Sequence, residues 1–311
     1  MDESLVNSCL PTPDQLQSLL TQAKLQGHLG QLPSHIPLLS VAQPHWCALS
    51  LHQVTGQGIS AGDDQQIFPL MSIVKPFVVL FCLQQWGGDW LQQRVGMEPS
   101  DYSFAAIAQL KIDHGWPRNP MINSGALTLA GHLGEWWGTS VSDRFCHWLN
   151  QLTGAQIYLD TKMLASVTSL PNQQNRELVN LLWEWGRVRN KELTLNSYNQ
   201  LCCLSGTVID LVRLGLPLAD ANGIIPSDQR HVINTILATC GLYQYSKQFA
   251  HEVGIPAKSG IGGGILAVVP GWGAMATYSP PLDANGTSVA GLFLIQQIEN
   301  LLNWRGLFSN S

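Results

Sequence analysis

Apolar residues follow one spacing in the strand-like segments near the chain ends and another in the middle of the chain. Short, nearly continuous apolar runs predict buried β-strands, whereas apolar residues at every third or fourth position predict helices. The predicted strands are 46–51, 264–269 and 273–278, with a hairpin turn at 55–58. The predicted helices are 13–30, 123–136, 141–153, 175–186, 198–214, 228–240 and 289–304, with a further helix that begins near residue 72 and stops at the glycines 87–88.

This order of elements predicts an α+β fold. Strands and a helix occur toward both chain ends, so the two ends can form one antiparallel sheet flanked by the terminal helices. The residues between them would form a helical lobe. We therefore expect a single unit over 1–311, with a sheet lobe at about 30–88 and 251–311 and a helical lobe at about 90–250.

Composition and charge exclude several classes of function. The chain is 45% hydrophobic, which is enough for a large core, and its net charge of −5 argues against a nucleic-acid interface, which needs a basic surface. The chain contains no run of 18 or more apolar residues, so we predict no membrane-spanning helix. The acidic start, Met1–Ser4, lacks the apolar segment of a signal peptide, so we expect a cytoplasmic protein.

Cysteine and histidine spacing predicts no metal site. The seven cysteines lack C-x-x-C spacing and mostly have apolar neighbours, so we interpret them as reduced packing residues, with a catalytic cysteine as the alternative. The nine histidines include no H-x-x-x-H pair.

Two short motifs indicate the chemistry. Ser72 and Lys75 form S-x-x-K, and Lys258-Ser259-Gly260 forms K-S-G, a combination typical of serine acyl-transfer enzymes built like β-lactamases and penicillin-binding proteins. Residues three apart share one helix face, so Lys75 can serve as a base for the Ser72 hydroxyl once burial favours its neutral form. Alternatively, Ser72 is a helix cap and Lys75 an exposed lysine, but apolar flanks at 67–71 and 76–81 argue for burial.

Longer stretches narrow the choice of family. They resemble, in order, the signatures of glutaminases of the β-lactamase-like superfamily. The matching stretches are Val95–Ser100, Asn119–Ala126, Tyr198–Cys203, Cys240–Tyr243, Val253–Ile265, Ser279–Asp283 and Gly286–Gly291.

This resemblance implies hydrolysis of L-glutamine to L-glutamate and ammonia, without a metal or organic cofactor, by a homo-oligomer (dimer or tetramer). It implies Ser72 as nucleophile, Lys75 as base and Tyr243 as a proton relay. The main-chain N–H groups of Ser72 and Ile261 would bind the oxyanion. The implied substrate-binding residues are Asn123, Asn175, Tyr198, Lys258, Ser259 and Ile261.

Each of these residues also has a simpler interpretation. Asn123 could be a helix N-cap. Tyr198 and Tyr243 could be core tyrosines whose hydroxyls are satisfied. Lys258 could lie on the surface, and the glycines after it could serve only a tight turn.

The chain departs from the family pattern at four positions. His35 replaces a tyrosine, Met71 a glutamine and Gln174 an arginine, while Val167 lies nearest the place of a glutamate that would pair with the substrate's α-ammonium. Three hypotheses follow: a glutaminase, a related acyl hydrolase for an amide without a free α-ammonium, or a degenerate paralogue that binds a ligand or an active partner.

Overall fold

A computed structural model describes residues 10–305; Cys9 and the segment Met1–Ser4 lie outside the described residues. The strands are β1 Ala48–Gln53, β2 Gly58–Gly62, β3 Phe68–Pro69, β4 Tyr158–Leu159, β5 Leu204–Gly206, β6 Ala257–Ser259, β7 Gly264–Val269 and β8 Gly273–Tyr278. The helices are α1 Pro13–Gly27, α2 Pro37–Ser40, α3 Lys75–Gln92, α4 Ile107–Ile112, α5 Asn123–Trp137, α6 Val141–Thr153, α7 Thr161–Thr168, α8 Gln173–Glu184, α9 Lys191–Cys202, α10 Val208–Ala219, α11 Ser227–Cys240, α12 Ser246–Glu252 and α13 Val289–Leu302.

The main sheet joins strands from both ends of the chain. Its order is β2-β1-β8-β7-β6, all antiparallel, and Leu51 of β1 lies opposite Met275 of β8. Helices α1 and α13 pack against each other beside this sheet. The predicted antiparallel sheet with flanking terminal helices is therefore confirmed. Strand β6, which carries Lys258, lies at one edge of this sheet.

Strands β7 and β8 are buried on both faces, which explains their continuous apolar runs. Because side chains alternate across a strand, Ile265 of β7 faces the core formed with α1 and α13, whereas Leu266 faces the opposite core. Helix α10 packs on that second face, where a Cβ on Gly215 would lie 2.8 Å from the Ala274 Cβ. Each fully buried leucine in these layers contributes about 1.5–3 kcal/mol.

The prediction of one continuous helix over 198–214 is wrong, because the helix is interrupted between Cys202 and Val208. Helix α9 ends at Cys202, β5 follows, and α10 begins after Thr207, which forms a capping box with Asp210. Strand β5 pairs with β3 and β4 in a small second sheet. The T-x-x-D spacing at Thr207 and Asp210 is typical of a helix N-terminus and could have predicted the start of α10. The pairing of β5 with β3 and β4 could not be predicted locally, because those strands are distant in the sequence.

Candidate active site

Ser72 lies in a tight 3₁₀ turn, Met71–Val74, directly before α3. The α-helix itself begins at Lys75, with Pro76 in its first turn, and is interrupted near its end at Gly87 (φ 80°). The Leu70 N–H donates to the Leu204 carbonyl at 2.7 Å, which ties the turn to β5. Met71 has φ 49°, a left-handed conformation that is costly for a side chain with a Cβ and is concentrated at functional sites.

Lys75 is buried, being only 2% exposed, and its Nζ is held by neutral groups. It donates to the Met121 carbonyl and to Asn123 Oδ1, both at 2.8 Å, and it forms no ion pair within residues 10–305. Burial lowers the pKa of Lys75 to about 8, because desolvation penalises the ammonium. A neutral amine that donates both hydrogens to these acceptors keeps its lone pair free to accept a proton.

Asn123 connects the polar groups of the site. Its Oδ1 accepts from Lys75 and from the Tyr198 hydroxyl at 3.1 Å, and its Nδ2 donates to Asn175 Oδ1 at 2.9 Å. Asn123 begins α5 but its side chain makes no capping bond, so the N-cap interpretation is wrong. One Nδ2 hydrogen remains for a ligand.

Tyr243 stands beside the Ser72 hydroxyl. Its backbone has φ 56°, and its ring contacts the Phe104 ring with centroids 4.8 Å apart. Burial raises the pKa of Tyr243 well above that of a free phenol, and interaction with Ser72 partly opposes this rise. The phenol therefore keeps its proton at neutral pH.

Lys258 and Ser259 lie behind Tyr243, not on the surface. Lys258 is fully buried, its Nζ lies 4.1 Å from the centroid of the Tyr243 ring, and it donates to the Ser259 carbonyl at 2.7 Å. Burial and the nearby Lys75 lower its pKa well below the usual lysine range. The Ser259 hydroxyl is also buried and has no hydrogen-bond partner among the described residues. The surface interpretation of Lys258 is wrong.

Two main-chain N–H groups lie where the K-S-G strand meets the serine turn. A Cβ on Gly260 would lie 3.4 Å from the Ser72 nitrogen and only 2.5 Å from the Leu70 carbonyl oxygen, so only glycine fits there. Neither the Ser72 nor the Ile261 N–H has a hydrogen-bond partner in the described part of the chain. Both are therefore available to an oxyanion.

This close approach predicts that Gly260→Ala lowers kcat about 100-fold, because the added methyl must displace the strand from the serine turn by a fraction of an ångström or more. Steady-state kinetics on folded protein measure the effect. Gly88→Ala is the matched control, since a Cβ at Gly88 meets open space. An unchanged kcat for Gly260→Ala would show that this contact does not set the site geometry.

A cavity of about 380 Å³ opens onto Ser72. It is lined by His35, Ile36, Met71, Ser72, Phe104, Ala105, Asn123, Val167, Leu170, Pro171, Asn172, Gln173, Gln174, Asn175, Tyr198, Asn199, Cys202 and Ile261. All four positions that depart from the family pattern are among these residues. These four positions are spread along the sequence but line the same cavity.

Two residues of the site were missed by sequence reasoning. Phe104 lines the cavity, packs on Tyr243 and accepts the Asn123 N–H at its carbonyl oxygen, 2.8 Å away. Cys202 also lines the cavity, and burial raises the pKa of its thiol, although Lys75 and Tyr198 partly oppose this rise. Only its position in the Tyr198–Cys203 stretch could have indicated Cys202, and no sequence signal indicated Phe104.

The described residues contain neither a candidate metal site nor a candidate membrane-spanning helix. Between residues 10 and 305, no cluster of three or more His, Cys, Asp or Glu side chains is arranged to hold a metal ion. In the same range, no helix combines the length and apolar character needed to cross a membrane.

The fold and the serine–lysine geometry define a protein of the β-lactamase-like class, and comparisons with known proteins specify the family. The glutaminase family model matches residues 30–306. A glutaminase of Synechocystis sp. (strain ATCC 27184 / PCC 6803 / Kazusa) is 41% identical over 290 residues, covering 92% of this chain and 88% of the relative. The chain therefore belongs to the glutaminase family.

Solved structures agree with this assignment. The probable glutaminase of Bacillus subtilis superposes with a TM-score of 0.84 at 28% identity, covering 93% of this chain and 96% of that chain. The glutamate form of Mglu gives a TM-score of 0.88 at 28% identity, covering 95% of this chain and 69% of that chain. These similarities support the glutaminase hypothesis and do not favour the related acyl hydrolase for an amide without a free α-ammonium or the degenerate paralogue.

Proposed function

We propose that this protein hydrolyses the side-chain amide of L-glutamine to L-glutamate and ammonia through a glutamyl ester on Ser72. The observation that carries the proposal is Lys75, buried one turn after Ser72 with no acidic partner among the described residues. A lysine in that environment loses its proton near neutral pH and can serve as a general base. Membership of the glutaminase family supports the choice of substrate.

In the first half-reaction, Ser72 Oγ attacks the amide carbon while Lys75 takes the hydroxyl proton. The N–H groups of Ser72 and Ile261 stabilise the negative oxygen that forms. Collapse of this intermediate breaks the C–N bond, and the phenol of Tyr243 gives its proton to the departing nitrogen, which leaves as ammonia. The Lys75 ammonium then returns the serine proton to the Tyr243 oxygen, so both groups regain their starting states. The buried, protonated state of Tyr243 suits this step.

In the second half-reaction, water attacks the glutamyl ester and gives a proton to neutral Lys75. The ester C–O bond then breaks, Lys75 returns the proton to Ser72 Oγ, and glutamate leaves. Asn123 orients Lys75 and Tyr198 through its Oδ1 and offers one Nδ2 hydrogen toward the cavity. We assign Asn123, Asn175 and Tyr198 to the polar end of the substrate, with Lys258 and Ser259 supporting Tyr243 from behind.

The direct test is ammonia and glutamate release from L-glutamine by the purified protein. Acid quenching during turnover, followed by peptide mass analysis, should find a glutamyl group on the peptide that contains Ser72. Stoichiometric release of both products with this adduct supports the proposal. Absence of turnover at high glutamine concentration would contradict it.

The pKa of Lys75 predicts a pH dependence. A base must be neutral to accept a proton, and the pKa of about 8 means that the neutral fraction grows as pH rises through that value. We expect kcat/KM to fall about tenfold per pH unit below about pH 8 and to level off above it. Circular dichroism over the same range controls for unfolding. A flat profile from about pH 6 to about pH 8 would exclude Lys75 as the titrating base, because kcat/KM should rise steeply over that range.

We also propose that 1–311 acts as one catalytic unit, with the sheet lobe at about 30–88 and 251–311 and the helical lobe at about 90–250. One continuous hydrophobic core contains residues of both lobes, such as Phe77, Leu127 and Leu266.

We propose a cytoplasmic homo-oligomer (dimer or tetramer). The described cysteines are free thiols, which is typical of reducing compartments, and light scattering of the purified protein tests the assembly.

A further inference from the structure

One wall of the cavity consists of neutral amide side chains. Asn172, Gln173, Gln174 and Asn175 at the start of α8, together with Asn199 of α9, form what we call the carboxamide wall. Asn175 is 5% exposed, and its Oδ1 accepts from Asn123, but its Nδ2 has no partner among the described residues. This donor on a buried side chain adjoins the cavity and is available to a ligand.

The electrostatics of this wall favour some substrate groups over others. Among the described residues that line the cavity there is no Asp, Glu, Lys or Arg. The first turn of α8 forms part of the wall, and the start of a helix carries partial positive charge. A substrate carboxylate is therefore favoured at the wall, whereas an α-ammonium finds no acidic partner there. It must rely on carboxamide oxygens and on water at the exposed Asn172, Gln173 and Gln174.

An acylated α-nitrogen suits the same wall better. It is uncharged and presents one N–H donor and one carbonyl acceptor, and carboxamides can both donate and accept. The cavity also has apolar lining beside the wall, at Val167, Leu170 and Pro171, and Leu170 is 52% exposed. This lining offers apolar contact to a small acyl group.

We propose that the site hydrolyses glutamine whose α-nitrogen is acylated as well as free glutamine, because the carboxamide wall recognises the α-substituents without charge pairing. This inference rests on the proposed glutaminase function and extends its substrate class. The chemistry is unchanged: Ser72 forms the same γ-ester, ammonia leaves, and water releases the N-acyl glutamate.

The test compares L-glutamine and Nα-acetyl-L-glutamine as substrates of the whole protein, with ammonia release as the measurement. We expect the two kcat/KM values to lie within about tenfold of each other, since no charged contact is lost on acetylation. Turnover of free glutamine with acetylglutamine more than about tenfold poorer would overturn the inference but leave the proposed function standing. No turnover of either substrate would remove the proposed function itself.

Two nearly isosteric variants test the wall. Gln174→Glu and Asn199→Asp each place a carboxylate at the cavity, and we expect either to shift the preference toward free glutamine by about tenfold. Gln92→Glu adds the same charge at an exposed position that does not line the cavity, and should leave the preference unchanged. If both cavity variants leave the preference unchanged, the wall does not face the α-nitrogen and the inference fails.

Discussion

Ser72→Ala is expected to lower kcat for L-glutamine by about 10⁴- to 10⁶-fold, the largest effect of any single substitution in the site. The alanine removes only the attacking oxygen. The Ser72 and Ile261 N–H groups and the cavity remain, so substrate should still bind with similar affinity. The hydroxyl is at the cavity wall and interacts with Tyr243, so its loss costs little structure. Single-turnover ammonia release and glutamine binding by calorimetry measure the two effects separately.

Ser50→Ala is the matched control for this prediction. Ser50 is a fully buried serine on β1, hydrogen-bonded to Ser60 Oγ at 2.8 Å, and it does not line the cavity. It should change stability by about 1 kcal/mol and leave kcat nearly unchanged. If Ser72→Ala retained more than about one hundredth of the wild-type kcat, another group would have to be the nucleophile.

Lys75→Met is expected to lower kcat about 10²- to 10⁴-fold, the range over which a positioned general base contributes. Methionine keeps the length and apolar stem of lysine but cannot accept the serine proton. The Met121 carbonyl loses its donor, at a cost of about 1–3 kcal/mol, and this is offset because an amine no longer has to be buried. The remaining activity should also lose the rise with pH that is expected for the wild type.

Lys162→Met serves as the control for charge removal, because Lys162 is exposed on α7 and does not line the cavity. It should keep both the wild-type kcat and the pH profile. The informative comparison is the pH profile, since a purely structural loss at Lys75 would reduce kcat without removing its pH dependence. A Lys75→Met variant whose kcat still rises through pH 8 would rule out the proposed base.

The local parts of this structure were predictable from the sequence. The apolar run at 264–269 is β7, and the helical spacing at 141–153 is α6. S-x-x-K and K-S-G pointed to Ser72 and Lys258, because both motifs use short spacings that a turn or strand preserves. The predicted helix at 198–214 failed because the pairing of β5 with β3 and β4 overrode the helical spacing.

The site depended on contacts between residues far apart in the chain. Asn123 bonds Lys75 48 positions earlier and Tyr198 75 positions later, so no local pattern could reveal its role as the connecting residue. The left-handed backbone of Met71 and Tyr243 is held by surrounding packing and is not a preference of either residue.

By itself, the sequence determined the strand and helix spacings, the family motifs and the candidate reactive groups, because these depend on neighbours along the chain. Only the tertiary structure decided that Lys75 is desolvated enough to lower its pKa to about 8, and that His35, Met71, Val167 and Gln174 line one cavity. Both outcomes follow from burial and juxtaposition, which exist only once helices and sheet have packed together.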